Sequence, residues 1–434
     1  MQANSTETAQ QAASLSPQQE KLLATATLKD PQLAAHANEF YAAMRLGDPV
    51  HFDPVLGSWL VSRFDDMQEV FRDPITFSAN YGLKLFYAGA FAKEFREILE
   101  RDGGGFFEDV VPTDPHNPRI RKLMEQAFTA RRVKSLEARI VELVNGMIDQ
   151  IAERGRCDAI REFAQPMTIA VICEQLGFEQ MDAARVERWS HAVMQTVSAM
   201  QTHETMLENA KEMAGLQLFL LDRLRERQDA PREDITSDLV HAVDEDGSKL
   251  SLAETLSLTR AMIAAGNETT ATAVGNLFFL LATNPEQTEL LRQVADDDRQ
   301  LTRWVEEFLR LYPPVRCISR GVTREVELAG KVIPKDAHML LLFPSANYDE
   351  NAFPDPMTFD MTRGNLSLNT AFGGGAHRCV GSALARMEIK VAAREVIKRL
   401  KDFKLEIDIA DIKFVPTVTT RSFASLPMSF SRVA

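Results

Sequence analysis

With 434 residues, 45% hydrophobic and 26% charged, the chain can build one large domain or a few average ones, with core enough to fold without disulfides. A net charge of −13 excludes a surface built overall to neutralise nucleic-acid phosphates. The four cysteines, Cys157, Cys173, Cys317 and Cys379, lie far apart without a CxxC pair. That excludes a zinc ribbon and a dense disulfide framework, and makes a reducing cytoplasm the simplest compartment.

Residues 1–35 open with "MQANSTETAQQAAS" and read as a flexible polar lead-in without a signal peptide. Residues 36–434 read as one domain, since no repeat, low-complexity block or linker divides them. "GSWLVSRFDDMQEVFRDP" predicts a strand around Leu60, then a helix over Asp66 to Phe71 stopped by Pro74. The phenylalanine-rich segment 79–113 is a candidate lid. Residues 116–280 carry mostly helical apolar spacing, and one helix over 251–283 is far longer than average, ending at Asn284-Pro285. Strands follow in "VTREVELAGKVIP", "HMLLLF", "FKLEIDI" and "PMSFS". No apolar run approaches the roughly 18 residues a spanning helix needs, so no membrane partner is implied.

The most concentrated chemistry is "FGGGAHRCVG", 372–381, followed at once by the helical pattern "SALARMEIKVAAREVIKRL". Three glycines leave room for something flat. His377 and Arg378 flank Cys379, and a helix N-terminus beside the sulfur favours its thiolate. A zinc site or a cysteine protease would need further ligands or a positioned base, and neither is visible. One thiolate among cationic groups suits an iron porphyrin, whose propionates need counter-charges.

The stretch resembles the heme-binding signature of the cytochrome P-450 family, FxxGxxxCxG, through Phe372, Gly375, Cys379 and Gly381. "AAGNETTATA" matches the family's (A/G)Gx(D/E)T element with Gly266, Glu268 and Thr269. "EFLR" supplies the ExxR pair Glu307 and Arg310, and "FPDPMTFDMTR" the second arginine, Arg363. The resemblance runs from about Trp59 to the C-terminus. It implies a mainly α fold with small β-sheets, a single large domain with buried heme b.

By that resemblance Cys379 is the iron ligand and Glu268 with Thr269 the proton-delivering pair, in a helix expected to open locally. Arg121, Arg320 and His377 are expected to meet the propionates, with Phe372 and Gly375 around the macrocycle. The family's usual histidine four residues before the arginine is here Asn117, with His116 one place early. Met262, Ala265, Val315, Ile318 and Phe423, with Ser422, are expected to face a small apolar substrate. Glu307, Arg310 and Arg363 read as a buried structural network.

No nucleotide-binding glycine fingerprint is present, so electrons must come from a partner. Arg119, Arg121, Lys122, Arg131, Arg132, Arg378, Arg386 and Lys390 form a candidate basic dock for a ferredoxin-type carrier. The expected function is a monooxygenase inserting one atom of dioxygen into a C–H bond. A peroxide-driven heme-thiolate enzyme and a non-catalytic heme sensor are the alternatives; the intact Glu268–Thr269 pair argues against the first.

Overall fold

The computed structural model describes residues 15–30, 33, 37–82, 92–110, 118–178, 181–198 and 200–433. Its helices are α1 (Pro17–Thr25), α2 (Asn38–Gly47), α3 (Phe64–Arg72), α4 (Ala92–Asp102), α5 (Pro118–Ala127), α6 (Ala130–Ala152) and α7 (Gln165–Leu176). Then come α8 (Ala183–Gln195), α9 (His203–Asp229), α10 (Ile235–His241), α11 (Leu252–Thr283), α12 (Pro285–Val294), α13 (Asp298–Leu311), α14 (Phe343–Asn347) and α15 (Ser382–Arg399).

The long helix is α11, almost as its sequence predicts. Ser251 caps it through the Glu254 N–H, while the Glu254 carboxylate accepts from the Ser251 N–H at 2.7 Å. Asn284 ends it and caps α12, whose first residue is Pro285. Most of α11 is buried around its whole circumference, as a helix through the middle of a large core must be. Phe278 meets Phe163 edge-on there, ring centroids 5.0 Å apart.

The sheets were expected at the two ends of the sequence; instead, long-range pairing joins those ends. β1 (Val50–Asp53), β2 (Ser58–Val61), β3 (Phe77–Ser78), β5 (Cys317–Val322) and β8 (His338–Leu342) form one sheet in the order β1-β2-β8-β5-β3. Between them in the chain, β4 (Arg156–Asp158) belongs to a second sheet, ordered β4-β10-β9, with β9 (Leu400–Leu405) and β10 (Pro427–Arg432). β6 (Val326–Leu328) and β7 (Lys331–Ile333) form a hairpin turning at Ala329 and Gly330, both at positive φ. β1, β3, β4 and most of β5 are not singled out by the sequence patterns that mark the other strands.

α1 lies within the lead-in, residues 1–35, and is capped by Ser16. Leu22 and Leu23 pack on a cluster containing Phe40 and Tyr41, and Asp53 holds both the Thr27 hydroxyl (2.7 Å) and the Leu28 N–H (3.2 Å). Among the described residues, no helix is long and apolar enough to cross a membrane.

His338 links three strands of the larger sheet: its Nδ1 lies 2.7 Å from the Ser58 hydroxyl and its Nε2 2.6 Å from that of Ser319. Burial lowers its pKa from 6.5 to about 4. The unfolded chain therefore takes up this proton first as pH falls. The stability is complete above pH 6.5 and is lost as pH falls toward 4, by up to about 3 kcal/mol. In His338→Phe, unfolding free energies measured across that window should fall less steeply than in the native protein. Equal slopes would remove His338 as a source of acid sensitivity.

Candidate active site

The cysteine loop is a tight, internally bonded turn. The Cys379 N–H donates to the Phe372 carbonyl at 3.0 Å, and Gly375–His377 form one 3-10 turn. Gly373 and Gly375 lie at φ +67° and +60°, where glycine is favoured. A Cβ on Gly374 would come within 2.5 Å of the Phe71 ring, and one on Gly375 within 2.4 Å of the Phe71 carbonyl. Phe71 of α3 thus leaves no room for a side chain at Gly374 or Gly375.

Cys379 is enclosed by protein yet still accessible, as a group on the wall of an internal cavity would be. Burial pushes its thiol pKa up. The Gly381 N–H and the guanidiniums of Arg121, Arg386 and Arg378 pull it down, and burial prevails.

α11 supplies a second accessible surface. Along this mostly buried helix Ala261 and Ala265 are exposed and Thr269 is half-buried, and their i, i+4, i+8 spacing places them on one stripe. The Thr269 hydroxyl donates to the Ala265 carbonyl at 2.7 Å, and the helix runs unbroken through this turn. The local opening expected here is not seen; the threonine back-bonds within a continuous helix instead. Gly266 faces Ile172 of α7, 3.0 Å from where its Cβ would be, so it is a packing glycine.

Glu268 lies beside α8. Its Oε1 is 3.8 Å from Nδ1 of His191, and burial, with the nearby Glu187 carboxylate, raises its pKa from 4.5 to about 8. It is therefore largely protonated at neutral pH. Neither α8 partner was anticipated, because no local pattern pairs positions 187 and 191 with 268.

Behind the cysteine loop, Glu307 is fully buried and receives both Nε and Nη2 of Arg310 at 2.7 Å, Nε of Arg363 at 3.1 Å and the Asp360 N–H at 2.9 Å. Arg310 also donates to the Asn347 carbonyl. The Asn347 side chain in turn accepts from the Thr370 N–H (2.8 Å) and hydroxyl (3.0 Å), two residues before Phe372. A parallel path runs from Glu306 to Arg386, whose guanidinium stacks over Phe372 at 4.2 Å. Asn347, Thr370 and Glu306 carry no motif of their own.

A family model described as "Cytochrome P450" matches residues 101–422. The chain belongs to the cytochrome P450 family. It is 33% identical over 402 residues to 6-deoxyerythronolide B hydroxylase of Saccharopolyspora erythraea, covering 89% of this chain and 94% of that one. It is 30% identical to vitamin D(3) 25-hydroxylase of Pseudonocardia autotrophica, covering 90% and 92%. Cytochrome P450 CYP109Q5 from Chondromyces apiculatus superposes with a TM-score of 0.80 at 29% identity, covering 95% and 99%. This P450 is accordingly a heme-thiolate monooxygenase that binds heme b.

The residues present fit that group. Arg320 of β5 is buried, and its Nη1 donates to the Ser319 carbonyl while Nε and Nη2 have no acceptor among the described residues. Burial lowers its pKa to about 10, so it stays cationic at neutral pH with two donors for a carboxylate. Arg121 of α5 donates to the Arg378 carbonyl (2.8 Å) and to Glu125 (2.6 Å), which places it against the cysteine loop. His377 is half-buried in that loop. Asn117 and His116 lie outside the described residues.

The remaining assignments divide. Ile318 and Arg320 share one face of β5, since the strand alternates; Ile318 is half-buried, as is Val315, which bridges to Thr420. Met262 is buried among the α7, α8 and α9 side chains. Phe423 does not fit a substrate contact: it is 2% exposed and packed between Phe279 and Phe414 at 5.4 and 5.2 Å. Ser422 instead bonds Thr272 at 2.7 Å, tying the C-terminal turn to α11.

Two further expectations change. Part of the candidate lid is fastened: Arg260 of α11 is paired with Asp109, and Gln217 of α9 donates to the Gly103 and Gly105 carbonyls at 2.7 Å. Within that lid, residues 83–91 and 111–113 lie outside the described residues. The basic dock is largely neutralised locally. Arg119, Arg121, Lys122, Arg132, Arg386 and Lys390 pair with Glu254, Glu125, Asp244, Asp238, Glu306 and Asp298.

Proposed function

We propose that this P450 hydroxylates a C–H bond of a small apolar organic substrate in the cytoplasm, drawing electrons from a ferredoxin and its reductase. The accessible stripe Ala261, Ala265 and Thr269, with Glu268 beside it, is the observation that carries the reading. Small apolar side chains leave room for a hydrophobic molecule, and one hydroxyl and one carboxylic acid stand at its edge. Ala265, Met262, Val315 and Ile318 would contact it.

Cys379 would hold the iron, and Arg320, Arg121 and His377 the propionates, with Asn117 as the further candidate. Phe372 and Gly375 would shape the loop around the macrocycle. Heme bound there supplies reductive activation of dioxygen, helped by electron donation from sulfur. Glu268, neutral at pH 7, is a proton donor; Thr269 orients that proton once its hydroxyl releases the Ala265 carbonyl. On the cysteine side, Arg131 and Arg378 make no ion pair among the described residues and are the exposed cations best placed for an acidic carrier.

Thr269→Ala should bind heme normally but release reducing equivalents as hydrogen peroxide, cutting product per dioxygen consumed by roughly tenfold to 10²-fold. Because deprotonation of Glu268 removes the donor, coupling in the native enzyme should fall as pH rises through about 8. Product and peroxide measured against dioxygen uptake check both. Unchanged coupling in Thr269→Ala would remove the threonine from proton delivery.

A further inference from the structure

We propose that His191 of α8 is the residue through which Glu268 is reprotonated from solvent, an inference that rests on Glu268 being the proton donor. Three features of the α8–α11 contact lead there. First, His191 Nδ1 stands 3.8 Å from Glu268 Oε1, a separation that one bridging water or a small side-chain rotation closes. Second, exposure falls along the pair, from 49% for the His191 side chain to 22% for that of Glu268, so the imidazole is the solvent-side member. Third, among the described residues Glu268 makes no side-chain hydrogen bond and has no other basic neighbour.

The surrounding charges favour neutral partners. Glu187, one turn before His191 on α8, is the other charged group acting on Glu268, and its negative charge strengthens the hold of Glu268 on its proton. Arg188 is directed to Glu212 of α9 at 3.2 Å and does not compensate. Burial lowers the pKa of His191. At neutral pH the pair is thus largely an uncharged imidazole beside an uncharged acid, and no standing ion pair must be broken during turnover.

Imidazole suits a relay because its two nitrogens can act in concert. When Glu268 has given up its proton, Nδ1–H donates to the carboxylate while Nε2 takes a proton from water. One proton enters and one leaves, so the ring stays neutral overall. Exchange of both nitrogens with solvent, which the ring's exposure permits, restores the starting tautomer. An arginine or lysine there would pair permanently with the carboxylate and hold it ionised.

The test compares His191→Phe, Glu187→Gln and Glu268→Gln holoenzymes. Peroxide is measured against product, and the Glu268 carboxyl stretch of the resting ferric protein is followed by infrared difference spectroscopy as a function of pH. His191→Phe is expected to raise peroxide per product about tenfold and to move the midpoint of the carboxyl band. Glu187→Gln is expected to lower that midpoint, by removing a like charge, and to shift the fall in coupling to lower pH by the same amount. If Glu268→Gln uncouples while His191→Phe leaves both coupling and the midpoint unchanged, protons reach Glu268 by another route and the relay is refuted. If Glu268→Gln itself stays coupled, the donor role falls and the relay with it.

Discussion

Cys379→Ser should abolish the thiolate-type absorption band of the reduced, carbon monoxide-bound protein and, with it, monooxygenase activity. A serine hydroxyl has no accessible anionic form at neutral pH and donates far less electron density than sulfur. The fold should survive. The loop is held by the Cys379 N–H to the Phe372 carbonyl and by the Glu307 network behind it, not by the sulfur. The other cysteines provide controls. Cys157 and Cys317 are buried, their thiol pKa values pushed up to about 12, and Cys317 donates to the Val418 carbonyl. Replacing either by alanine should cost stability but preserve the band. A thiolate band in Cys379→Ser would remove Cys379 as the ligand.

The cysteine loop, the proton-delivering turn and the Glu307–Arg310 pair are legible in the sequence because each packs its chemistry into ten residues or fewer. Their spacing is fixed by one turn of helix or one loop. What escapes is chemistry shared between distant segments. His191 and Glu187 reach Glu268 across a helix crossing, and Asn347 links Arg310 to Thr370 through one side chain that resembles any other asparagine.

The same limit explains the misreadings. Phe423 sits in a C-terminal turn near the pocket, but whether such a ring points inward depends on Phe279 and Phe414, neither of them local to it. The basic dock looks cationic as a string of letters because most of the carboxylates that neutralise it come from α10, α13, the first turn of α11 and the loop before it. Charge counted along a segment overstates the field that a partner meets once those carboxylates are within a few ångströms. Gly374 and Gly375 have a packing role that shows only once Phe71, some 300 positions earlier, is seen against them.

Glu307→Gln should prevent stable heme incorporation, although Glu307 lies behind the loop and outside the pocket. The carboxylate neutralises two buried guanidiniums and accepts the Asp360 N–H, with no exposure to water. The amide keeps the shape but removes the charge and turns one acceptor into a donor facing arginine. Breaking one partner out of a buried ion pair typically costs about 3–5 kcal/mol, a third or more of an ordinary domain's stability. Because Arg310 also positions Asn347, and Asn347 positions Thr370, the loss is delivered directly to the segment that begins at Phe372. Arg363→Lys tests the same network without changing charge. An ammonium cannot replace the planar fork that meets Glu307 together with the Pro354, Asp355 and Thr358 carbonyls. It too should lower the heme-to-protein absorbance ratio and the melting temperature, by less than Glu307→Gln. If Glu307→Gln retained full heme content and native melting, the cysteine loop would have to be held by its own turn bonds and the Arg386–Phe372 stack alone.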